Sequence, residues 1–210
     1  MATPSLPARR MTAAEYVAFE LASAERHEFQ DGQVYAMSGA SKAHNRIAGN
    51  VYLALRLAAR GGACRVFMEG VRFALPSGPH YYPDVMVACA PAPDDPNAEV
   101  APCVVVEVLS PSTKPLDVRR KLPRYQASPS VLAVVVVEQS ARFVEVHRRD
   151  SIHAPFSVDY VIGQGSVAFP CPGPPGGPVT MTLDDIYEGA EPPPGVDLDA
   201  SDPEPPGRER

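Results

Sequence analysis

Two almost uninterrupted aliphatic runs, at residues 104–108 and 131–137, constrain the fold of this chain more than any other feature of its sequence. A strand that is apolar at successive positions has to be covered on both faces, which is typical of the central strands of an α/β sheet. The first run nevertheless contains a glutamate, Glu107. Because an ionised carboxylate is rarely buried without a partner, we expect a basic residue, a set of hydrogen-bond donors or a metal ion beside it.

The N-terminal third of the chain carries clear local signals for secondary structure. Thr12 opens a capping-box pattern, TAAE, at the start of a first helix, and Asp31-Gly32 is typical of a hairpin turn. Apolar residues recur at helical spacing over residues 41–60, which predicts a long second helix. The alternating segment 64–75 loses its phase at Gly70, so we expect one strand with a bulge or tight bend there.

Strand patterns dominate the remainder of the chain. PDVMVACA and CVVVEVLS predict two strands separated by a proline-rich loop, and a helix is predicted over residues 117–127 although Pro123 lies inside it. VLAVVVVEQ and RFVEVHRR predict two further strands joined at Ser140, followed by weaker strands at VDYVI, SVAF and PVTMT. Thr182 and Asp185 predict the cap of a short last helix. This order favours an α/β fold with a mixed central sheet.

The length and the proline distribution indicate how the chain is organised. A length of 210 residues favours one globular domain. The 25 prolines cluster near the N-terminus, in the 91–102 loop and after residue 170, which marks these segments as loops or tails. We therefore predict a flexible segment at 1–10, a single domain at 11–189, and a disordered, acidic, proline-rich tail at 190–210.

The negative charge of the chain is concentrated at its C-terminus. The formal net charge is −6, and residues 184–210 contain nine acidic residues against two arginines, which leaves the rest of the chain at about +1. Local basic clusters occur at residues 119–121 and 147–149. This distribution excludes a general polyanion binder but permits local contacts with phosphates.

The cysteines and the N-terminal segment indicate where in the cell the protein is expected. The four cysteines are scattered and form no C-x-x-C pair, so the sequence indicates neither a zinc ribbon nor a disulfide framework, and a reducing, cytoplasmic location is expected. No apolar segment follows the N-terminal arginines, and the longest aliphatic run is too short to cross a bilayer. We therefore expect neither export nor membrane insertion.

Two acidic residues stand at the ends of neighbouring candidate strands. Asp84 follows Pro83 at the start of one strand, and Glu107 lies near the exit of the next. If these strands pair with each other, both carboxylates lie at one end of the sheet and can share a Mg²⁺ ion, which prefers oxygen ligands. The strand pattern alone leaves a second interpretation equally open, in which Glu107 pairs with an arginine that faces the core.

An ordered set of motifs carries a resemblance to a known family. YYPDVMVAC, then VVVEVLSPST, then Asp117, Lys121 and Tyr125 resemble the Uma-two endonucleases, a restriction-endonuclease-like family of the PD-(D/E)xK nuclease superfamily. HEFQDGQVYAMSGASKAHNRI and GQGSVAF with MTLDDIYEG extend the similarity to residues 11–189. The resemblance implies a restriction-endonuclease-like mixed sheet flanked by helices, with an extra N-terminal hairpin and small C-terminal strands.

The resemblance also implies a set of catalytic residues. Asp84 corresponds to the aspartate of the PD element and Glu107 to the acid of the (D/E)xK element, whereas the lysine position two residues later is occupied by Leu109. In this family the lysine comes from the following helix, where Lys121 matches it. Asp84 and Glu107 are thus expected to bind Mg²⁺ or Mn²⁺, and Lys121 to orient the attacking water or stabilise developing charge. The alternative for Lys121 is a solvated helix lysine.

Three further residues match the family at less specific positions. Glu28 precedes the hairpin turn and His44 begins the long helix, and either is placed to reach the metal edge. Asp117 is expected to cap the helix that presents Lys121 rather than to bind metal. Each has a structural alternative, as a surface charge or a helix-terminal hydrogen-bonding group. Glu69, beside Gly70, is either a further acid of the site or a surface glutamate that flanks a bulge, and the second interpretation is favoured.

The sequence therefore favours a Mg²⁺-dependent endonuclease that hydrolyses phosphodiester bonds, with DNA as its nucleic-acid partner and a homodimer by analogy with enzymes that cut both strands of a duplex. A catalytically inactive nucleic-acid-binding or assembly module is the alternative, because the literal E-x-K lysine is missing and the tail is acidic. A carboxylate-pair hydrolase of small substrates is the third interpretation, although the chain has no tryptophan for a sugar site. The choice between DNA and RNA stays open.

Overall fold

The structure is a computed structural model of the chain. It describes residues 10–37, 39–76, 78–109, 115–171 and 178–190, and for residues 115–117 it describes the backbone alone. The predicted flexible N-terminus and acidic tail therefore lie almost entirely outside the described residues.

Four helices and thirteen strands form the described part of the chain. The helices are α1 (Ala13–Ala22), α2 (Lys42–Ala58), α3 (Pro115–Ala127) and α4 (Leu183–Tyr187). The strands are β1 (His27–Gln30), β2 (Gln33–Ala36), β3 (Arg65–Met68), β4 (Arg72–Ala74), β5 (His80–Tyr81), β6 (Val85–Ala88), β7 (Ala98–Glu99), β8 (Pro102–Leu109), β9 (Ala133–Glu138), β10 (Phe143–Arg148), β11 (Ser157–Ile162), β12 (Ser166–Phe169) and β13 (Val179–Thr182). Of the described helices, none is long and apolar enough to span a membrane.

A six-stranded mixed sheet forms the centre of the molecule, in the order β11-β10-β9-β8-β6-β3. Strands β8 and β9 are parallel, and the other neighbours in this sheet are antiparallel. A parallel pair needs a crossover connection, and α3 provides it by returning over one face of the sheet. The prediction of an α/β fold with a mixed central sheet is confirmed.

The valine runs are covered on both faces, as their composition predicts. Val104, Val106 and Val108 of β8 pack into a core with α2, α4 and the small β12-β13 sheet. Val105 belongs to a second core on the opposite face, which includes Tyr125 of α3. Glu107 follows Val105 at the two-residue period of a strand, so its side chain lies on the α3 face of the sheet.

Several local predictions are also confirmed. Thr12 and Glu15 form the reciprocal capping box of α1, and Thr182 forms another with Asp185 at α4. The turn between β1 and β2 has Asp31 at φ 51° and Gly32 at φ 82°, the left-handed conformations that Asp-Gly hairpin turns require. Strands β6 and β8 pair directly with each other, so Asp84 and Glu107 lie at the same end of the sheet.

The tight bend predicted at Gly70 is confirmed, but the prediction that residues 64–75 form a single strand is wrong. The segment forms two strands in different sheets: β3 is the edge of the central sheet, whereas β4 belongs to a second, five-stranded sheet of order β2-β1-β5-β4-β7. Glu69 and Gly70, between them, both have positive φ values, 47° and 67°. Two successive left-handed residues turn the chain out of the central sheet, so the loss of phase marks a change of sheet.

The expectation that the sequence contains no disulfide framework is also wrong. Cys64 is bonded to Cys89, and Cys103 is bonded to Cys171. These partners are 25 and 68 residues apart in the sequence. The pairing of β3 with β6 brings the first two together, and the packing of β12 against the core brings Cys171 to Cys103.

Candidate active site

Three carboxylate residues occupy adjacent positions on three neighbouring strands. Met68 of β3 pairs with Val85 of β6, and Val85 pairs with Val106 of β8. One step beyond that row are Glu69, Asp84 and Glu107, and the backbone N–H of Glu69 donates to the carbonyl oxygen of Asp84 at 3.1 Å. Antiparallel pairing therefore places these three acids at one end of the sheet, and we call them the carboxylate row.

Asp84 is held at both of its carboxylate oxygens. Nε2 of His44 lies 2.9 Å from Oδ1, and the backbone N–H of Val108 donates to Oδ2 at 2.6 Å. His44 reaches this position because Ser41 caps α2, which fixes the first helical turn against the end of the sheet. Each carboxylate oxygen has two lone pairs, so both oxygens keep one for a cation.

Glu107 is buried, with 6% of its surface exposed, and its partners come from α3. The Tyr125 hydroxyl donates to Oε1 at 2.6 Å, and Nζ of Lys121 lies 3.8 Å from the same oxygen. Lys121 and Tyr125 are four residues apart and so project from the same side of the helix. The alternative in which an arginine pairs with Glu107 is wrong for the described residues, because the paired cation is this lysine.

Lys121 links Glu107 to the N-terminal hairpin. Its Nζ donates to Oε1 of Glu28 at 2.6 Å, and it lies 5.5 Å from the centre of the Tyr81 ring. Only 9% of the Lys121 surface is exposed, so the interpretation of a solvated helix lysine is wrong. Leu109, at the usual lysine position of the motif, packs against the apolar core on the α3 face.

The enclosed charges shift one another's ionisation. Burial raises the pKa of Glu107 to about 7, and the charges of Asp84 and Glu28 add to this effect against the opposing ammonium of Lys121. Burial alone would lower the pKa of Lys121, but the carboxylates of Glu107 and Glu28 raise it above its ordinary value. Burial also opposes a charge on His44, yet its hydrogen bond to Asp84 raises the pKa of the imidazole. The cleft therefore carries excess negative charge that an additional cation would stabilise.

The residues present suit a divalent cation. One ligand atom from each of His44, Glu69 and Asp84 lies within 4.8 Å of the others, and Glu107 lies one strand further along the row. Nδ1 of His44 is buried without a hydrogen-bond partner in the described part of the chain. Three carboxylates and one imidazole form a donor set in which oxygen predominates, which suits Mg²⁺ or Mn²⁺ better than a thiophilic metal.

A cleft of about 650 Å³ opens over the carboxylate row. Its floor consists of the acids with Lys121, and its walls include the partly exposed side chains of Tyr35, Met37 and Met68. These three side chains are 43%, 43% and 36% exposed, respectively. Polar chemistry at the floor is thus combined with apolar surfaces at the rim.

The structure brings together five of the six residues singled out from the sequence. Asp84, Glu107, Lys121, Glu28 and His44 all line the cleft. The side chain of Asp117, the sixth, lies outside the described residues.

Glu69 is the residue whose place in the cleft the sequence reasoning did not favour. The prediction of an exposed surface glutamate is confirmed, but its side chain also lines the cleft beside Asp84 and His44, which the favoured interpretation did not include. The signal was its place at the end of a strand antiparallel to the one that Asp84 begins. Reading it required knowledge of which strands pair, and a single sequence does not provide that.

Comparisons with known proteins agree with this description. The profile of the Uma2 family, described as "Putative restriction endonuclease", matches residues 13–164. The uncharacterized protein slr1290 of Synechocystis is 31% identical over 150 residues, which is 70% of this chain and 79% of that protein. Another uncharacterized protein of Synechocystis, sll1609, is 30% identical over 143 residues, covering 66% of this chain and 81% of the relative.

Among solved structures, a "putative nuclease belonging to DUF820" from Anabaena variabilis superposes with a TM-score of 0.68. The two chains are 15% identical, and the superposition covers 86% of this chain and 99% of the other. At that identity the comparison establishes a shared fold.

Proposed function

We propose, from the premise that the chain belongs to the Uma2 family, that it is a divalent-metal-dependent endonuclease that hydrolyses phosphodiester bonds in DNA. The observation that carries this proposal is the carboxylate row of Glu69, Asp84 and Glu107, with Lys121 in the same cleft. Acids on adjacent strands with a nearby lysine are the groups that metal-assisted phosphoryl chemistry needs.

The cation is assigned to Asp84 and Glu107, with Glu69 as a further oxygen donor. A Mg²⁺ or Mn²⁺ ion bound by these residues supplies Lewis acidity toward the scissile phosphate and the attacking water. His44 is proposed as a positioning residue, because its Nε2 fixes one oxygen of Asp84. The Tyr125 hydroxyl acts in the same way on Glu107.

Lys121 is proposed to stabilise the negative charge that develops on the phosphate oxygens during in-line attack. Its ammonium stays charged, because the carboxylates of Glu107 and Glu28 raise its pKa. A buried cation acts more strongly on developing charge than one in bulk water. Glu28 limits the positions that Nζ can adopt, and it thereby holds the ammonium beside Glu107.

Residues at the rim of the cleft, as well as the acids at its floor, support a nucleic-acid substrate. The side chain of Tyr35 is exposed beside the acids, where an aromatic ring can stack on a base, and Arg26 provides a positive charge in the same lining. We also propose a homodimer, which would present two sites to the two strands of a duplex, and a cytoplasmic location. Light scattering on the purified protein tests the first of these.

The primary test is cleavage of supercoiled plasmid in the presence of Mg²⁺ or Mn²⁺, compared with the same reaction in a chelator. Wild-type protein should nick or linearise the plasmid, and Asp84→Asn should not. Asp94→Asn provides the matched control, because Asp94 is exposed in the loop after β6 and lies outside the cleft lining.

Three outcomes separate the interpretations. Metal-dependent cleavage lost only in Asp84→Asn supports the nuclease. Salt-sensitive retention of DNA without cleavage, unchanged by chelator, would replace it with the nucleic-acid-binding module. Cleavage that persists in Asp84→Asn would identify a contaminating nuclease or a different active site.

A further inference from the structure

The four cysteines of the chain converge at the end of the central sheet opposite to the carboxylate row. Cys64 immediately precedes β3, Cys89 follows β6, Cys103 lies near the start of β8, and Cys171 lies two residues beyond β12. The strands β3, β6 and β8 that carry the acids at one end therefore carry three of the cysteines at the other. We call the four residues the cysteine cluster.

The sulphur atoms of the cluster are close together across the two disulfide pairs. The sulphurs of Cys89 and Cys103, which are not bonded to each other, lie 3.5 Å apart. Those of Cys89, Cys103 and Cys171 all lie within 4.8 Å of one another, and Cys64 is bonded to Cys89. In a tetrahedral zinc site with Zn–S bonds of about 2.3 Å, the sulphurs are about 3.8 Å apart. Three of the four sulphurs thus lie within the span of one thiolate site, and Cys64, one disulfide bond from Cys89, is the fourth candidate ligand.

The surroundings of the cluster also suit such a site. Cys103 is buried, and the other three cysteines pack partly buried against the core beneath α2. The guanidinium of Arg65 donates to the carbonyl oxygen of Ala90, next to Cys89, and its charge is paired with the buried carboxylate of Glu99.

We propose that the reduced cysteine cluster binds one zinc ion per chain through the thiolates of Cys64, Cys89, Cys103 and Cys171. A dithiol reductant reduces each disulfide to two thiols and is itself oxidised to a disulfide. The four thiols then bind Zn²⁺ and release four protons, since thiolates are the metal ligands. This site is independent of the nuclease proposal, because it shares no residue with the cleft.

Cobalt is the probe for the test, because Co²⁺ bound to thiolates gives sulphur-to-metal charge-transfer absorption that carboxylate ligands do not give. The full-length protein is reduced, freed of metal and titrated with Co²⁺ under anaerobic conditions. One equivalent should saturate the thiolate bands, and Zn²⁺ should displace it. Asp84→Asn should titrate identically, which separates this site from the cleft.

Two variants complete the test. Cys89→Ser and Cys103→Ser should each lose stoichiometric binding, with circular dichroism to verify that they fold. If a variant does not fold, alkylation of the reduced wild type decides, because Zn²⁺ and not Mg²⁺ should slow modification of all four thiols. The proposal is overturned if the reduced wild type gives no thiolate band with Co²⁺, or if its cysteines alkylate equally fast with and without Zn²⁺.

Discussion

The strands β3, β6 and β8 end in acidic residues on one side of the molecule and in cysteines on the other. At one end, the carboxylate row gathers like charges that depend on neighbours, namely the imidazole of His44 on α2 and the ammonium of Lys121 on α3. At the other end, the cysteine cluster satisfies itself, because its side chains bond to one another. Antiparallel pairing places residues from distant parts of the sequence side by side. The flanking helices α2 and α3 provide the side chains that interact with the carboxylate row.

Two buried glutamates allow the most direct test of this difference. Glu107 lies in the carboxylate row, whereas Glu99 pairs with Arg65 near the cysteine cluster. We expect Glu107→Gln to reduce the rate of plasmid cleavage by about 100-fold or more while keeping the fold, because the amide cannot replace an anionic metal ligand. Glu99→Gln should leave the rate unchanged but lower the free energy of unfolding by about 1–3 kcal/mol. Equal rates in the two variants would contradict the assignment of Glu107.

Removing the lysine tests how far the carboxylate row depends on a cation. In Lys121→Met, Glu107 and Glu28 are left in a buried site without their ammonium partner, and we expect the free energy of unfolding to fall by about 3–5 kcal/mol without metal. Mn²⁺ should restore part of this loss, because the ion binds the same acids. Urea denaturation with and without Mn²⁺ measures both effects. Lys42→Met, on the exposed first turn of α2, should show neither.

Removing one disulfide tests the opposite end. The combined change Cys103→Ser and Cys171→Ser opens a loop of 68 residues, and in the oxidised protein we expect a loss of about 2–4 kcal/mol in the free energy of unfolding. The rate of plasmid cleavage by the folded fraction should stay within about twofold of wild type. The cleft lies at the opposite end of the strands, and the effects of distant substitutions are usually independent. A large loss of rate would show that the two ends are coupled.

His80 lies in neither the carboxylate row nor the cysteine cluster. Its titration should make the stability of the protein depend on pH. Its side chain is buried, and burial, with the charge of Arg72 against that of Asp95, lowers its pKa to about 4. The unfolded chain, with a histidine pKa of about 6.5, binds a proton first, so the stability contribution of neutral His80 is complete above pH 6.5 and is lost as the pH falls toward 4. We expect the wild type to lose about 1–3 kcal/mol more over this range than His80→Asn. The exposed His153→Asn should follow the wild type, and identical curves for His80→Asn would refute the assignment.

Local and pairwise features of the fold were predictable from the sequence. The capping boxes depend on residues three apart, and the hairpin depends on one dipeptide. The proximity of Asp84 and Glu107 followed from the expectation that two successive strands pair, and they pair with each other in the structure. Lys121 was found through family resemblance, because it lies fourteen positions after Glu107 and no spacing rule links the two.

The remaining features depend on pairing over long distances. Strands β5 and β7 have two residues each, too few for a period to appear, so the second sheet could not be recognised. The disulfide Cys103–Cys171 joins β8 of the central sheet to the segment that follows β12, and only the packing of β12 against the core makes the pair adjacent. The position of Glu69 beside Asp84 could not be predicted for the same reason, because its partner strand was unknown.

The backbone at Glu69 has a consequence for protein engineering. A residue with a β-carbon costs about 1–2 kcal/mol in the left-handed conformation that Glu69 adopts, whereas glycine adopts it freely, as the next residue does. A redesign selected for thermostability alone would therefore choose glycine at position 69 and lose a carboxylate from the edge of the cleft. Stabilising substitutions in this molecule should be screened with position 69 held fixed, since there the optimum for folding and the optimum for the proposed metal site are different amino acids.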